Sequence, residues 1–134
     1  MDAIVHEKYE KAKEHEIDFE IKGVFSDRLM ISNYDICTIL GNALDNALEA
    51  SQKVQGKRYV CMEIRSHQNM LHLIIRNSMA GKSDLSTTKN DRRYHGFGLD
   101  NLKQCVEKNM GQVEITQTEE EFCLDIVIAA YKSL

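Results

Sequence analysis

Three asparagines and a pair of glycines are the residues of this chain whose types and spacing could do chemistry. Asn42, Asn46 and Glu49 sit in a stretch of helical spacing. At about 100° per residue, with Asn42 at zero, Asn46 falls near ~40° and Glu49 near ~−20°. They form one narrow polar stripe beside an apolar arc of Ile36, Leu40, Ala43, Leu44, Ala47 and Leu48, with Asp35 and Thr38 nearby. Two asparagines four apart inside a helix cost propensity relative to alanine. The stripe fits either a ligand-facing surface or a solvated face that carries asparagines.

Asn77 ends the run Leu71-His72-Leu73-Ile74-Ile75-Arg76-Asn77. In a strand it shares a face with Leu71, Leu73 and Ile75, the face that a helix layer should cover. A neutral amide there must be hydrogen-bonded. Its acceptor-plus-donor head suits the edge of a purine, and equally a strand-ending turn. Further on, His95-Gly96-Phe97-Gly98-Leu99 runs into a helical pattern. Glycines at a helix start let anionic oxygens reach backbone N–H groups at the positive end of the dipole, though glycine also serves helix starts by geometry alone. Residues 82–95 before it are polar, with Lys82, Lys89, Arg92 and Arg93. A loop of that length is usually functional or disordered. The dinucleotide fingerprint fails because Asn101 stands at its third glycine, and no Walker loop is present.

Periodicity supplies the elements that must position these residues. Helical spacing covers 2–15, strand alternation 18–25 (Phe19, Ile21 and Phe25 on one face), and a long helix 34–54 capped by Ser32 or Asn33. Strands 59–66 and 70–77 form a hairpin across His67-Gln68-Asn69. A long polar loop spans 78–96, a helix covers 99–109 and ends near Gly111, and strands 113–118 and 122–130 close the chain. This order predicts an α+β fold, a two-layer α/β sandwich with a mixed, mostly antiparallel sheet and helices on one face.

The 134 residues suit one domain. No apolar run approaches the ~18 residues of a membrane helix, and Met1–Glu7 lacks the make-up of a signal peptide. A net charge of −4 argues against nucleic acid as the main partner. Cysteines 37, 61, 105 and 123 have no metal-site spacing and read as free thiols in a reducing compartment.

Taken together the motifs resemble the GHKL, or Bergerat-fold, nucleotide-binding superfamily. Asn42-Ala43-Leu44-Asp45-Asn46-Ala47 matches its N-box and Gly96-Phe97-Gly98-Leu99 its second glycine box. Asn77-Ser78-Met79-Ala80-Gly81 occupies the first glycine box, with Asn77 in place of the usual aspartate and Gly81 kept. Leu44–Ala50, the pair Thr88-Lys89 and even Lys8–Lys13 resemble sensor histidine kinases of the quorum-sensing, accessory-gene-regulator type.

The resemblance implies a single catalytic domain over 1–134 that binds ATP and Mg²⁺. It implies that Asn46 ligates Mg²⁺, that Asn77 meets adenine, and that Gly81, Thr88, Gly96, Gly98 and Leu99 line the nucleotide. Lys89 becomes a mobile cation on a lid, and Asn42 stands where hydrolysing relatives keep a water-activating glutamate. The phosphoacceptor histidine is expected on a separate dimerisation domain, with a response regulator downstream. The chain itself is expected to be monomeric and cytoplasmic, without direct membrane contact. Two other readings stay open: an anti-sigma-factor-like serine kinase, and a protein-binding module independent of nucleotide.

Overall fold

The computed structural model describes residues 2–26, 29–80 and 89–129. Its elements are α1 (Asp2–Glu14), β1 (Asp18–Lys22), α2 (Asn33–Gln52), β2 (Tyr59–His67), β3 (Met70–Ser78), α3 (Lys89–Lys108), β4 (Gln112–Gln117) and β5 (Glu121–Ala129). The strands make one sheet in the order β1-β2-β3-β5-β4. β1 runs parallel to β2 and the other pairings are antiparallel, which is the mixed sheet expected.

Alternation along the strands decides which face the helices cover. Val60, Met62 and Ile64 of β2, Leu71, Leu73 and Ile75 of β3, and Leu124, Ile126 and Ile128 of β5 are buried on one side. Against them α2 sets Ile36, Ile39, Leu40, Ala43, Leu44, Ala47 and Leu48, and α3 sets Leu102 and Val106. Each fully buried aliphatic side chain contributes roughly 1.5–3 kcal/mol. The opposite face carries paired polar groups. Glu63 takes Arg76 at 3.0 Å and Arg65 at 2.8 Å, and those guanidiniums, Arg76 first, hold its carboxyl below the usual range. His72 pairs with Asp125. Tyr59 donates to Glu121 at 2.6 Å, and burial together with that carboxylate pushes its phenol up to about 12.

The inward face of α1 is less regular. Ile4, Lys8 and Ala12 share it at a spacing of four, and Lys8 is only 7% exposed. Tyr9, which helical spacing counts among the apolar residues, is 49% exposed and packs edge-to-face on Phe19.

Two expectations need correction. The first strand ends at Lys22 rather than at residue 25, because Gly23 turns the chain at φ 97°. A side chain there would meet the carbonyl oxygen of Ile64 at 2.2 Å, so only glycine fits. The helix expected to begin at Leu99 begins instead at Lys89, and the second glycine box lies inside it. Between Lys89 and Leu99 the chain has no proline and no β-branched residue to break a helix. Two glycines lower helix propensity by about 1 kcal/mol each without ending it. The four cysteines are free, as expected.

Candidate functional site

α2 is built to present its polar stripe. Ser32 caps it by accepting the Asp35 N–H at 3.0 Å, which fixes where the first turn starts. From that start Asn42, Asn46 and Glu49 fall half-buried at the edge of the apolar arc, as the wheel requires. Neither Asn42 nor Asn46 has a hydrogen-bond partner among the described residues.

Asp35, placed near the stripe by its angle, does different work. It is buried and tied to the far end of α3, with Lys108 Nζ at 3.3 Å and Asn109 Nδ2 at 3.2 Å. Asn109 also donates to the Cys105 carbonyl at 2.8 Å, and the Cys105 thiol lies 3.6 Å from the Asp35 carbonyl. The Asn109 amide, working against burial and joined by Lys108, holds the Asp35 carboxyl below its ordinary range. This clamp sets α3 antiparallel to α2. Counting 1.5 Å per residue from it, Asn46 and Gly98 stand about 16 Å and 15 Å along their helices, roughly level with each other.

The end of β3 packs against the last turns of α2. Asn77 is 1% exposed on the helix-covered face, between Val60 and Phe122. Its Nδ2 donates to the Ser78 carbonyl at 3.0 Å, which fixes the amide orientation. Its Oδ1 is buried and has no partner among the described residues. An acceptor left without a partner costs about 1–3 kcal/mol. Beside it Ser78 meets Ser51 of α2, hydroxyl to hydroxyl at 2.8 Å, and accepts the Tyr59 N–H at 3.0 Å. That buried pair pins the end of β3 to α2, with Asn46 about 7.5 Å back along the helix.

Gly96, Gly98 and Leu99 lie on α3, the helix that the clamp ties to α2, while Asn42 and Asn46 lie on α2 and Asn77 ends the strand pinned to α2 by the serine pair. Gly81 and Thr88 fall outside the described residues, and for Lys89 only the backbone is described. A side chain at Gly98 would meet nothing within 4 Å, so crowding in this conformation does not explain its glycine.

Sequence reasoning missed two members of the region, the Ser51–Ser78 pair and Lys8. A lysine at the middle of an Ile4-Lys8-Ala12 inward stripe was the available signal. Lys8 Nζ lies 2.8 Å from Asp45 Oδ1 in the polar arc of α2 and 3.2 Å from Glu7. Burial alone would lower its pKa, but Asp45 and Glu7 more than offset that and raise it.

This arrangement is the fold of histidine-kinase catalytic domains. The chain is similar to the catalytic domain of histidine kinase ThkA, 18% identical, covering 96% of this chain and 91% of that one with a TM-score of 0.74. It is also similar to a mycobacterial sensor histidine kinase, MprB, at 17% identity, 100% and 97% coverage and a TM-score of 0.65. A third likeness is to the Acinetobacter baumannii histidine kinase AdeS, at 15% identity and a TM-score of 0.69, covering 95% of this chain and 63% of that one. The sequence profile of the GHKL domain matches residues 31–129, and the chain belongs to that family. No curated protein matches its sequence.

Proposed function

We propose that this chain binds ATP with Mg²⁺ and donates the γ-phosphoryl group to a histidine on a separate helical dimerisation domain of a two-component sensor kinase. The observation that carries the reading is the orphaned Asn77 Oδ1. It lies on the covered face of β3, whose end is pinned to α2, the helix that carries Asn42 and Asn46 without partners among the described residues. A buried acceptor beside a donor matches the amino-and-ring-nitrogen edge of adenine. Asn46 offers the neutral oxygen that Mg²⁺ accepts, and the cation would spread the charge of the triphosphate. Gly98, with open space where a side chain would stand, lets a phosphate come close to the surface of α3, and Lys89 is the cation proposed to meet it.

Asn42 sets the chemistry apart from hydrolysis. An amide cannot take a proton from water, so this chain turns ATP over slowly by itself. An acceptor imidazole is already a nucleophile near neutral pH, and phosphoryl transfer to it needs positioning more than a base. For that reason a histidine kinase fits better than a serine kinase. Residues 1–134 act as a catalytic domain, monomeric and at work in the cytoplasm. No described helix is long and apolar enough to cross a membrane. The accessory-gene-regulator subtype rests on Leu44–Ala50 and Thr88-Lys89.

Calorimetry with Mg²⁺–ATP, joined to thermal melting, tests the reading. Heat of binding and a raised melting temperature are expected, since a ligand of the native state stabilises it. No heat and no shift at millimolar nucleotide would refute it.

A further inference from the structure

The buried ammonium of Lys8 is the polar group that the proposed chemistry leaves unused. It occupies a core position of α1, between Ile4 and Ala12, where an aliphatic side chain would pack without a desolvation cost. Replacing buried ion pairs by apolar residues is often neutral or stabilising, so stability alone is a poor reason for it. Its partner is Asp45, which lies three residues after Asn42 and one before Asn46. The Asp45 side chain is 42% exposed, yet its Oδ1 is shielded from solvent and faces Lys8 at 2.8 Å, with Lys11 Nζ at 4.0 Å. Two cations from α1 therefore converge on the carboxylate that flanks the amide stripe.

Resting on the ATP reading above, we propose that Lys8 is an electrostatic positioning residue: it neutralises Asp45, so that the Asn42–Asn46 amides meet the phosphates with one fixed negative charge fewer beside them than Glu49 and a bare Asp45 would impose. The physical case is short-range. Residues three apart on a helix lie ~5–6 Å apart at Cβ, well inside the ~8–10 Å screening length of physiological salt. A carboxylate without its counter-ion at that range repels a polyanion. An amide or a neutralised carboxylate does not. Lys8 acts through Asp45 and touches no reacting atom. Because it is carried on α1, the position of that helix sets the charge that the stripe presents.

The prediction is a pattern of signs that packing does not produce. By calorimetry on the full chain, Lys8→Met should weaken Mg²⁺–ATP about five- to tenfold. Adenosine, which has no phosphates, should bind Lys8→Met as it binds the wild type. Asp45→Asn should hold or tighten Mg²⁺–ATP, and the double variant Lys8→Met/Asp45→Asn should return within about twofold of wild type. Equal losses of ATP and adenosine in Lys8→Met, or no loss of ATP, would overturn the counter-ion role and leave the ATP reading standing. If Lys8→Met melts below the assay temperature, Asp45→Asn decides alone, and a selective loss of ATP in it overturns the proposal. A wild-type chain that binds adenosine and ATP not at all overturns both.

Discussion

The start and the middle of α2 carry similar polar residues in opposite states. At its start, the Asp35 carboxylate meets Lys108 and Asn109, and Asn109 also satisfies the Cys105 carbonyl. Around its middle, Asn42 and Asn46 are half-buried and without partners among the described residues, and the buried Asn77 Oδ1 at the end of β3 has none there either. Buried polar groups with partners fix geometry; buried polar groups without them cost stability and are kept for something that arrives later. The clamp is scaffold, and the stripe is the proposed site. The same helix serves both, because the clamp that sets the antiparallel packing of α3 on α2 also brings Gly98 level with Asn46.

Changes in the site should move binding and spare folding, and changes in the clamp should do the reverse. The largest effect is expected from Asn46→Ala, which removes a direct Mg²⁺ oxygen and should weaken Mg²⁺–ATP by at least about a hundredfold in calorimetry, with little change in melting. Asn77→Leu comes next. It removes an unmet acceptor together with one donor, so melting should stay within a few degrees while ATP affinity falls about tenfold. A large drop in melting temperature with unchanged affinity would make Asn77 scaffold and break the contrast.

On the clamp side, Asn109→Ala should lower the melting temperature by roughly 3–8 °C through two lost hydrogen bonds, and leave ATP affinity within about twofold. The clamp should also titrate. The Asp35 carboxyl is held low by Asn109 first and Lys108 after it. A depressed carboxyl contributes stability that is complete above its unfolded pKa of ~3.9 and is lost as pH falls through the folded value. Melting curves of wild type and Asp35→Asn should therefore differ at neutral pH and converge below about pH 4. Curves that stay parallel into acid would remove Asp35 from the clamp's energetics.

The smallest effects come from two helical glycines. A side chain at Gly41 or at Gly98 would meet nothing within 4 Å. Alanine at either should stabilise the free chain by about 0.5–1 kcal/mol, a gain read by thermal melting. Only Gly98→Ala should also weaken ATP, since only Gly98 stands in the glycine box. Equal binding by both variants would take Gly98 out of the site.

Much of this was legible in the residues. Period-two alternation in β2, β3 and β5 marked the covered face of the sheet, because side chains on a strand must alternate. The 3.6-residue repeat of α2 placed Asn42 and Asn46 at the margin of its apolar arc for the same geometric reason. Local patterns of this kind survive into the fold because burying the apolar set drives folding. The start of α3 was not legible: residues 89–98 have no apolar stripe to reveal a helix, only the absence of residues that forbid one.

What the sequence determined by itself, then, was the order of the elements, the face each one buries, and the polar stripe at the margin of α2. The tertiary structure alone decided which polar groups find each other. Asp35 and Asn109 are 74 residues apart, and Ser51 and Ser78 are 27 apart. Periodicity reports a residue's own face and says nothing of what stands opposite it. The same limit hid Lys8. Its charge and spacing were visible, but its partner Asp45 belongs to another helix, and only the packing of α1 on α2 turns a misplaced lysine into a counter-ion.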